Sequence, residues 1–388
     1  MTKTNEKKYQ KLIEILEKIK RTKEYGDYCF TNHHFSYKNI PYKDEALTIL
    51  SEIEELSIFN NKMQVFREIS LSVSYNKLLR WLLNRIELND LTVVIEWLCN
   101  YVEHEYYTEI NYIWLNGIKI ENNLTYEIID GIYLCPITSI PNRILANQLS
   151  GDSYPFNFFQ PSVVLYKEYQ AEKHHKEIGD TEKTTTIYQT YDLDDIRLLI
   201  SILNHSVLSP QALGYSYLPA DDVPCSNNIS LHITGYRQPG VYPPLMEMEI
   251  IKLKEMYSKF RTLGEKRKKQ IRKILSRLNE YSTCSNPVDK AIAFRIVAET
   301  IYINKHISYI KSTLSDRFSE FHNDGTNEAY LKKIMKTFYE VTSSANHAVE
   351  LVGDDLVFAN INFKDFIPYF FDAIIYMLEG KTFSWEQS

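Results

Sequence analysis

Apolar residues recur along this chain at two periods, and the switch between them divides it. Leu12, Ile13, Ile15, Leu16 and Ile19, set among charges, predict one amphipathic helix over about residues 5 to 23. Further helices are expected between about 44 and 103. From Glu109 the period becomes that of strands: INYIWLNGIKI and LTYEIIDGIYL place Asn116-Gly117 and Asp130-Gly131 between apolar runs, both hairpin-turn signals. A meander is therefore predicted over about 108 to 138, with one more strand at VVLY (163 to 166). Residues 169 to 189 read as a polar surface loop, and DLDDIRLLISILNH returns to the helical period.

Pro210, Pro219, Pro224, Pro239, Gly240, Pro243 and Pro244 exclude a long helix over 209 to 244 and put a domain boundary near 240. Beyond it, three stripes recur at steps of three or four: Ile250, Leu253, Tyr257, Phe260; Ile307, Ile310, Leu314, Phe318, Phe321; and Leu331, Ile334, Phe338, Val341. Each stripe marks one buried helix face, and together they predict an antiparallel bundle. Phe363 to Leu378 contains Asp365, Pro368 and Asp372, too short and too charged to span a bilayer, and reads as a buried terminal helix. The fold class is thus α+β: a mixed α/β-meander domain over 1–240, then an all-α bundle over 241–388.

Composition changes this picture little. The chain has 388 residues, 44% hydrophobic and 24% charged, as two ordinary globular domains would. A net charge of -6 argues against a surface coated for indiscriminate nucleic-acid binding. One segment runs the other way. Residues 259 to 277 hold Lys259, Arg261, Lys266, Arg267, Lys268, Lys269, Arg272, Lys273 and Arg277 against the single acid Glu265. An RNA backbone is the ligand such a patch suits, and a solvated helix face is its ordinary alternative.

Five dispersed cysteines without a CxxC pair indicate reduced thiols, neither a zinc site nor a disulfide framework. The N-terminus MTKTNEKKYQ lacks the apolar core of a secretory signal, so a cytoplasmic protein with no membrane association is expected. His33-His34 and His174-His175 lack carboxylate or cysteine partners at ligand spacing and read as surface-loop histidines, so no metal is expected. The phosphate-binding, dinucleotide and serine-hydrolase motifs GxxxxGK[ST], GxGxxG and GxSxG are absent, and no cofactor is implied.

One further segment carries candidate chemistry: Thr337 to Ala348, TFYEVTSSANHA, where an amphipathic stretch meets a hydroxyl cluster and His347. Thr342, Ser343 and Ser344 suit the N-cap of a helix starting near Ala345, and such an end is an anion site. Ahead of it come a long basic helix, then VDKAIAFRIVAETIY with Asp289 and Glu299, then HISYIKSTLSDRF with Arg317. In order and spacing, residues 245 to 380 resemble the Apea-like branch of the HEPN domain family. The strands around WLNGIKI and GIYLCPI are similar to the mostly β portion that precedes the bundle in such proteins.

That resemblance implies a homodimer, metal-independent RNA cleavage, and a setting in bacterial anti-phage defence by abortive infection, with the N-terminal domain sensing a phage or host trigger. Its signature is an Arg-Ser pair followed by His; here Ser343 and His347 match, but Thr342 stands where the family has arginine. A histidine near its ordinary pKa can act as acid or base, whereas a hydroxyl lacks the bidentate cation that grips phosphate. The expected loss is at least about 10²-fold in rate. Arg317 could replace it from a neighbouring helix or a dimer partner, Glu299 could position the histidine, and Arg317 with His322 repeats the family's spacing. On a continuous helix these two diverge by about 140°, unless Asn323-Asp324-Gly325 ends the helix beside them; a solvated helix terminus is the ordinary outcome. Arg295 and Glu299, four apart, would ordinarily form an ion pair. The alternative function is a catalytically inactive scaffold that dimerises or holds a partner through the bundle.

Overall fold

The computed structural model describes residues 3–22, 27–29, 34–36, 40–66, 69–141, 146, 161–178, 191–203, 211–225, 244–283, 286–303, 308–348 and 363–386. These fall into two compact units: Met1–Leu115 with Asn122–Thr190 and Leu213–Gln238, and Asn116–Glu121 with Tyr191–Ala212 and Pro239–Ser388. The protein is α+β, combining helices with antiparallel sheets. No helix among the described residues is long and apolar enough to cross a membrane.

In the first unit, α1 (Lys3–Thr22) buries Leu12, Ile15, Leu16 and Ile19, as its period requires. After the short pair β1 (Asp27–Cys29) and β2 (His34–Ser36) come α2 (Lys43–Glu52), a hairpin of β3 (Lys62–Phe66) and β4 (Ile69–Val73), then α3 (Tyr75–Ile86) and α4 (Leu91–Glu103). The helices expected between about 44 and 103 are α2, α3 and α4, and the hairpin between them was not expected. Its signal, the alternation Ile69-Ser70-Leu71-Ser72-Val73, is only five residues long.

The main sheet runs β11-β5-β9-β8-β7, from β5 (Tyr106–Asn116), β7 (Tyr126–Ile129), β8 (Ile132–Pro136), β9 (Val163–Glu172) and β11 (Gln211–Pro219). Asp130 (φ 44°) and Gly131 (φ 74°) turn β7 into β8 as predicted, since a tight hairpin needs both in the left-handed region. Asn116-Gly117 makes no such hairpin. It leads instead to β6 (Lys119–Ile120), which pairs in parallel with β12 (Pro244–Leu245) in the second unit. The expected loop from 169 is also strand: β9 continues to Glu172, and β10 (His174–Glu177) pairs with β3. His175 there is mostly buried, its ring against Phe59 and Tyr101, and burial lowers it to about 4, so it is no loop histidine. Of the other pair, His33 and the His34 side chain lie outside the described residues.

The second unit is helical: α5 (Tyr191–Leu203), α6 (Glu247–Thr262), α7 (Glu265–Thr283), α8 (Pro287–Tyr302), α9 (Ile310–His322), α10 (Glu328–Ala348) and α11 (Ile367–Leu378). Helix α5, which the sequence reading left in the N-terminal half, packs on α6 and α7. Gln270 donates to the Thr300 carbonyl while Tyr281 meets Phe294, so α7 and α8 run antiparallel. Ion pairs Lys311–Glu340 and Lys332–Asp316 fix α9 antiparallel to α10 in the same way. Phe294, Phe318, Phe338, Phe366 and Phe370 interlock between the helices. Helix α9 stops at His322, where Asn323 Oδ1 accepts from Gly325 N and Gly325 takes φ 94°.

A bidentate ion pair ties α5 to α7: Arg272 Nε and Nη2 donate to Asp195 at 2.6 and 2.7 Å, and Asp195 is only 5% exposed. Arg272→Ala would leave that carboxylate buried without a cation. The expected loss is about 3 kcal/mol of stability in urea unfolding of the helical unit, with partial recovery in Arg272→Lys.

Candidate functional site

The hydroxyl cluster does not begin a helix. Helix α10 runs unbroken from Glu328 to Ala348, and Thr342 is fully buried, its Oγ1 donating to the Phe338 carbonyl at 2.9 Å and the Tyr339 carbonyl at 3.2 Å. The buried series Leu331, Met335, Phe338 and Val341 carries the helix through, and a threonine inside a helix satisfies its hydroxyl on the preceding turn. Thr342 therefore offers no cap and no donor to an anion, correcting its predicted RNA-binding role. Ser343 is half-buried. Ser344 and His347 are in the last turns of α10, and their side chains lie outside the described residues.

Arg317 and His322 do converge, but on Tyr302 rather than on an open cleft. Tyr302 is the last residue of α8, and Arg317 Nη1 donates to its carbonyl at 2.7 Å, satisfying one of the acceptors a helix C-terminus leaves open. The guanidinium also stacks over Trp385 at 5.6 Å. His322 Nε2 shares a 2.8 Å hydrogen bond with the Tyr302 hydroxyl inside a ring cluster of Phe318, Phe321 and Tyr369. Burial lowers His322 to about 4 and raises the Tyr302 phenol well above its ordinary value. The Lys332–Asp316 pair sets Arg317 near the level of Lys332, ten residues or about 15 Å along α10 from Thr342. Within one chain Arg317 therefore does not reach Thr342.

The basic helix divides its charges. Lys268 pairs with Glu265, Arg272 with Asp195, Arg277 with Glu280, and Arg267 grips Glu386 through two hydrogen bonds of 3.0 and 2.7 Å. Among the described residues, Lys266, Lys269 and Lys273 have no such carboxylate, and all three are exposed. They occupy positions i, i+3 and i+7 of α7, one face of the helix, along a groove of about 890 Å³. Its other lining includes Ile296, Glu299 and Thr300 of α8, and Glu386.

Glu299 accepts from Arg295 Nε at 2.8 Å, the expected ion pair, but Arg295 does more. Its Nη2 donates to the Tyr339 hydroxyl at 3.2 Å and its guanidinium covers the Tyr339 ring at 4.8 Å. Its Nη1 is buried without a hydrogen-bond partner. Arg295 thus joins the groove wall to the segment that holds Thr342 and His347, one turn before Thr342. Helical spacing to Glu299 was visible in the sequence; the contact across to α10 was not.

His322 gives a pH dependence whose sign follows from its environment. The folded state holds it near 4 and the unfolded chain near 6.5, so unfolding takes up a proton in that window. Stability is full above about pH 6.5 and falls as pH drops, by about 2 kcal/mol at pH 5. His322→Phe is expected to flatten this slope in urea unfolding of the helical unit, while His175 in the first unit keeps its own. Compared with protein-family models, curated proteins and solved structures, the chain matches none.

Proposed function

We propose that the helical unit is a HEPN-like RNA-binding module that takes RNA along the groove of α7. The observation that carries this reading is the exposed row Lys266, Lys269 and Lys273, unpaired while the neighbouring cations are paired. Like charges at such spacing cost stability, and a protein of net charge -6 has acids to spare for pairing them. A row of cations left open along a groove suits a phosphate backbone. Among the described residues no aromatic lines the groove, so this reading assigns binding to the backbone rather than to base stacking.

Metal-independent cleavage is the second step of this reading, in the setting of anti-phage defence that the resemblance implies, with the bundle as the dimer interface and the N-terminal unit as sensor. Arg317 and His322 are engaged at Tyr302, so in this reading the cation for a cleaved phosphate falls to Arg295, which bonds the Tyr339 hydroxyl, and the proton transfer to His347. Ser343, four residues after Tyr339, shares that helix face. The alternative, an inactive scaffold, draws support from the burial of Thr342.

Binding of a short single-stranded RNA should weaken with salt at a slope of about -2 in log Kobs against log[salt], as three lysine contacts give. Each of Lys266→Ala, Lys269→Ala and Lys273→Ala should reduce that slope by about 0.7, whereas Arg272→Ala should leave it unchanged. A slope near zero, or one insensitive to the lysines, would remove the groove as the site.

Cleavage, assayed on the full chain without metal, should fall at least about 10²-fold in Arg295→Lys and in His347→Ala while RNA binding persists. Wild type that binds RNA and never cuts it, with or without phage infection of the host, would favour the scaffold.

A further inference from the structure

The groove along α7 has a second wall with chemistry of its own. Ile296, Glu299 and Ile303 line it from α8 and its C-cap, at positions i, i+3 and i+7, so one face of that helix stands across from Lys266, Lys269 and Lys273. Gln270 fixes the register between these antiparallel helices, its Nε2 donating to the Thr300 carbonyl at 2.9 Å. Glu299, the residue before Thr300, is therefore level with the stretch between Lys269 and Lys273.

Two acids line the groove, and their surroundings differ. Glu386 is closed: both of its oxygens accept from Arg267, at 3.0 and 2.7 Å, and Oε2 also takes the Phe383 backbone N–H at 3.2 Å. Glu299 is open. Its Oε1 accepts from Arg295 at 2.8 Å, its Oε2 has no hydrogen bond among the described residues, and its side chain is 32% exposed against 16% for Glu386. Neighbouring polar groups are satisfied where they stand, Thr300 Oγ1 on the Ile296 carbonyl at 2.6 Å and Gln270 Oε1 on Arg267 Nη1 at 2.7 Å. A carboxylate on the wall of a polyanion groove repels phosphate, so a ligand gains there only by bringing a hydrogen-bond donor.

Phosphates alternate with sugars along a nucleic-acid strand. A strand whose successive phosphates meet Lys269 and Lys273, about 6 Å apart along the helix axis, carries the intervening sugar past Glu299. In RNA that sugar bears a 2′-hydroxyl, a donor that DNA lacks, and a bond from it to a carboxylate is of the strong, charge-assisted kind. We infer that Glu299 is the residue by which this groove selects RNA over DNA, its Oε2 accepting from one ribose 2′-hydroxyl. The inference rests on the groove reading above and not on cleavage, and the Arg295 bond to Oε1 holds the carboxylate in place for it.

Hexauridylate, its deoxy counterpart and its 2′-fluoro counterpart, which has no O–H donor, separate the hydroxyl from the backbone charge. Titrated against the full chain by fluorescence anisotropy, the RNA should bind at least about tenfold more tightly than either of the others, as one charge-assisted hydrogen bond gives. In Glu299→Ala the three should bind within about twofold of one another, with the deoxy strand no weaker than on wild type because an acid has left the wall. The 2′-fluoro comparison needs no variant. Equal binding of RNA and DNA, a 2′-fluoro strand that binds as RNA does, or a preference that survives Glu299→Ala would each overturn the inference while the lysine-dependent salt response still stands. Loss of that response for every strand would instead remove the groove, and the inference with it.

Discussion

The helical unit turns on the way the end of α8 is closed. Tyr302 is fully buried there, and α9 meets both its carbonyl, through Arg317, and its hydroxyl, through His322. Its ring lies against Phe318 and Trp385. A helix C-terminus buried without partners would be costly, so these contacts fix where α9 and the Ser384–Glu386 turn must sit. Trp385 is held between Arg317 and a parallel Phe383 ring at 4.7 Å, and Ser384 donates to Glu320 at 2.7 Å. Glu386 is then delivered to Arg267 on α7. A closure at one helix end thus sets the charge pattern of another helix.

That pattern explains which cations are free. Arg267 and Arg272 look alike in the sequence, both in a basic run, yet one is spent on the C-terminal turn and the other on α5. Their planar forks suit bidentate carboxylates, and both are less than a third exposed at the side chain. The lysines, point charges on flexible stems, are left on the outer face. Composition counts the charges in a segment, but tertiary contacts decide which remain available to a ligand.

Much of the fold was legible because its signals are local. The period of three to four marked helices α6, α9 and α10, Asp130-Gly131 marked a true hairpin, and Asn323-Asp324-Gly325 marked the end of α9. Misreadings came where a local signal met a distant partner. Asn116-Gly117 turns the chain as its residues prefer, but Ile120 finds Leu245 instead of returning to β5. The TSS cluster has cap chemistry, yet Phe338 and Val341 hold the helix through it. Of the candidate site, the basic run was read correctly as a concentration of charge and Glu299 as an ion-paired residue. Arg317 and His322 were selected by spacing, and their shared partner, a tyrosine on the preceding helix, has no sequence signature.

Binding and cleavage are therefore separable physical demands on this unit. Binding a polyanion would need only unpaired cations along a groove, and among the described residues the cations so placed are Lys266, Lys269 and Lys273 of α7. Cleavage needs a fixed cation beside a proton carrier, held to within a fraction of an ångström, and such precision comes from a supporting network. The chain of contacts from Glu299 through Arg295 to Tyr339 has that character: a carboxylate orients the guanidinium, an aromatic face holds it, and one nitrogen is left without a partner. This contact joins α8 to α10, whereas Arg317 and His322 of α9 are spent on closing the end of α8.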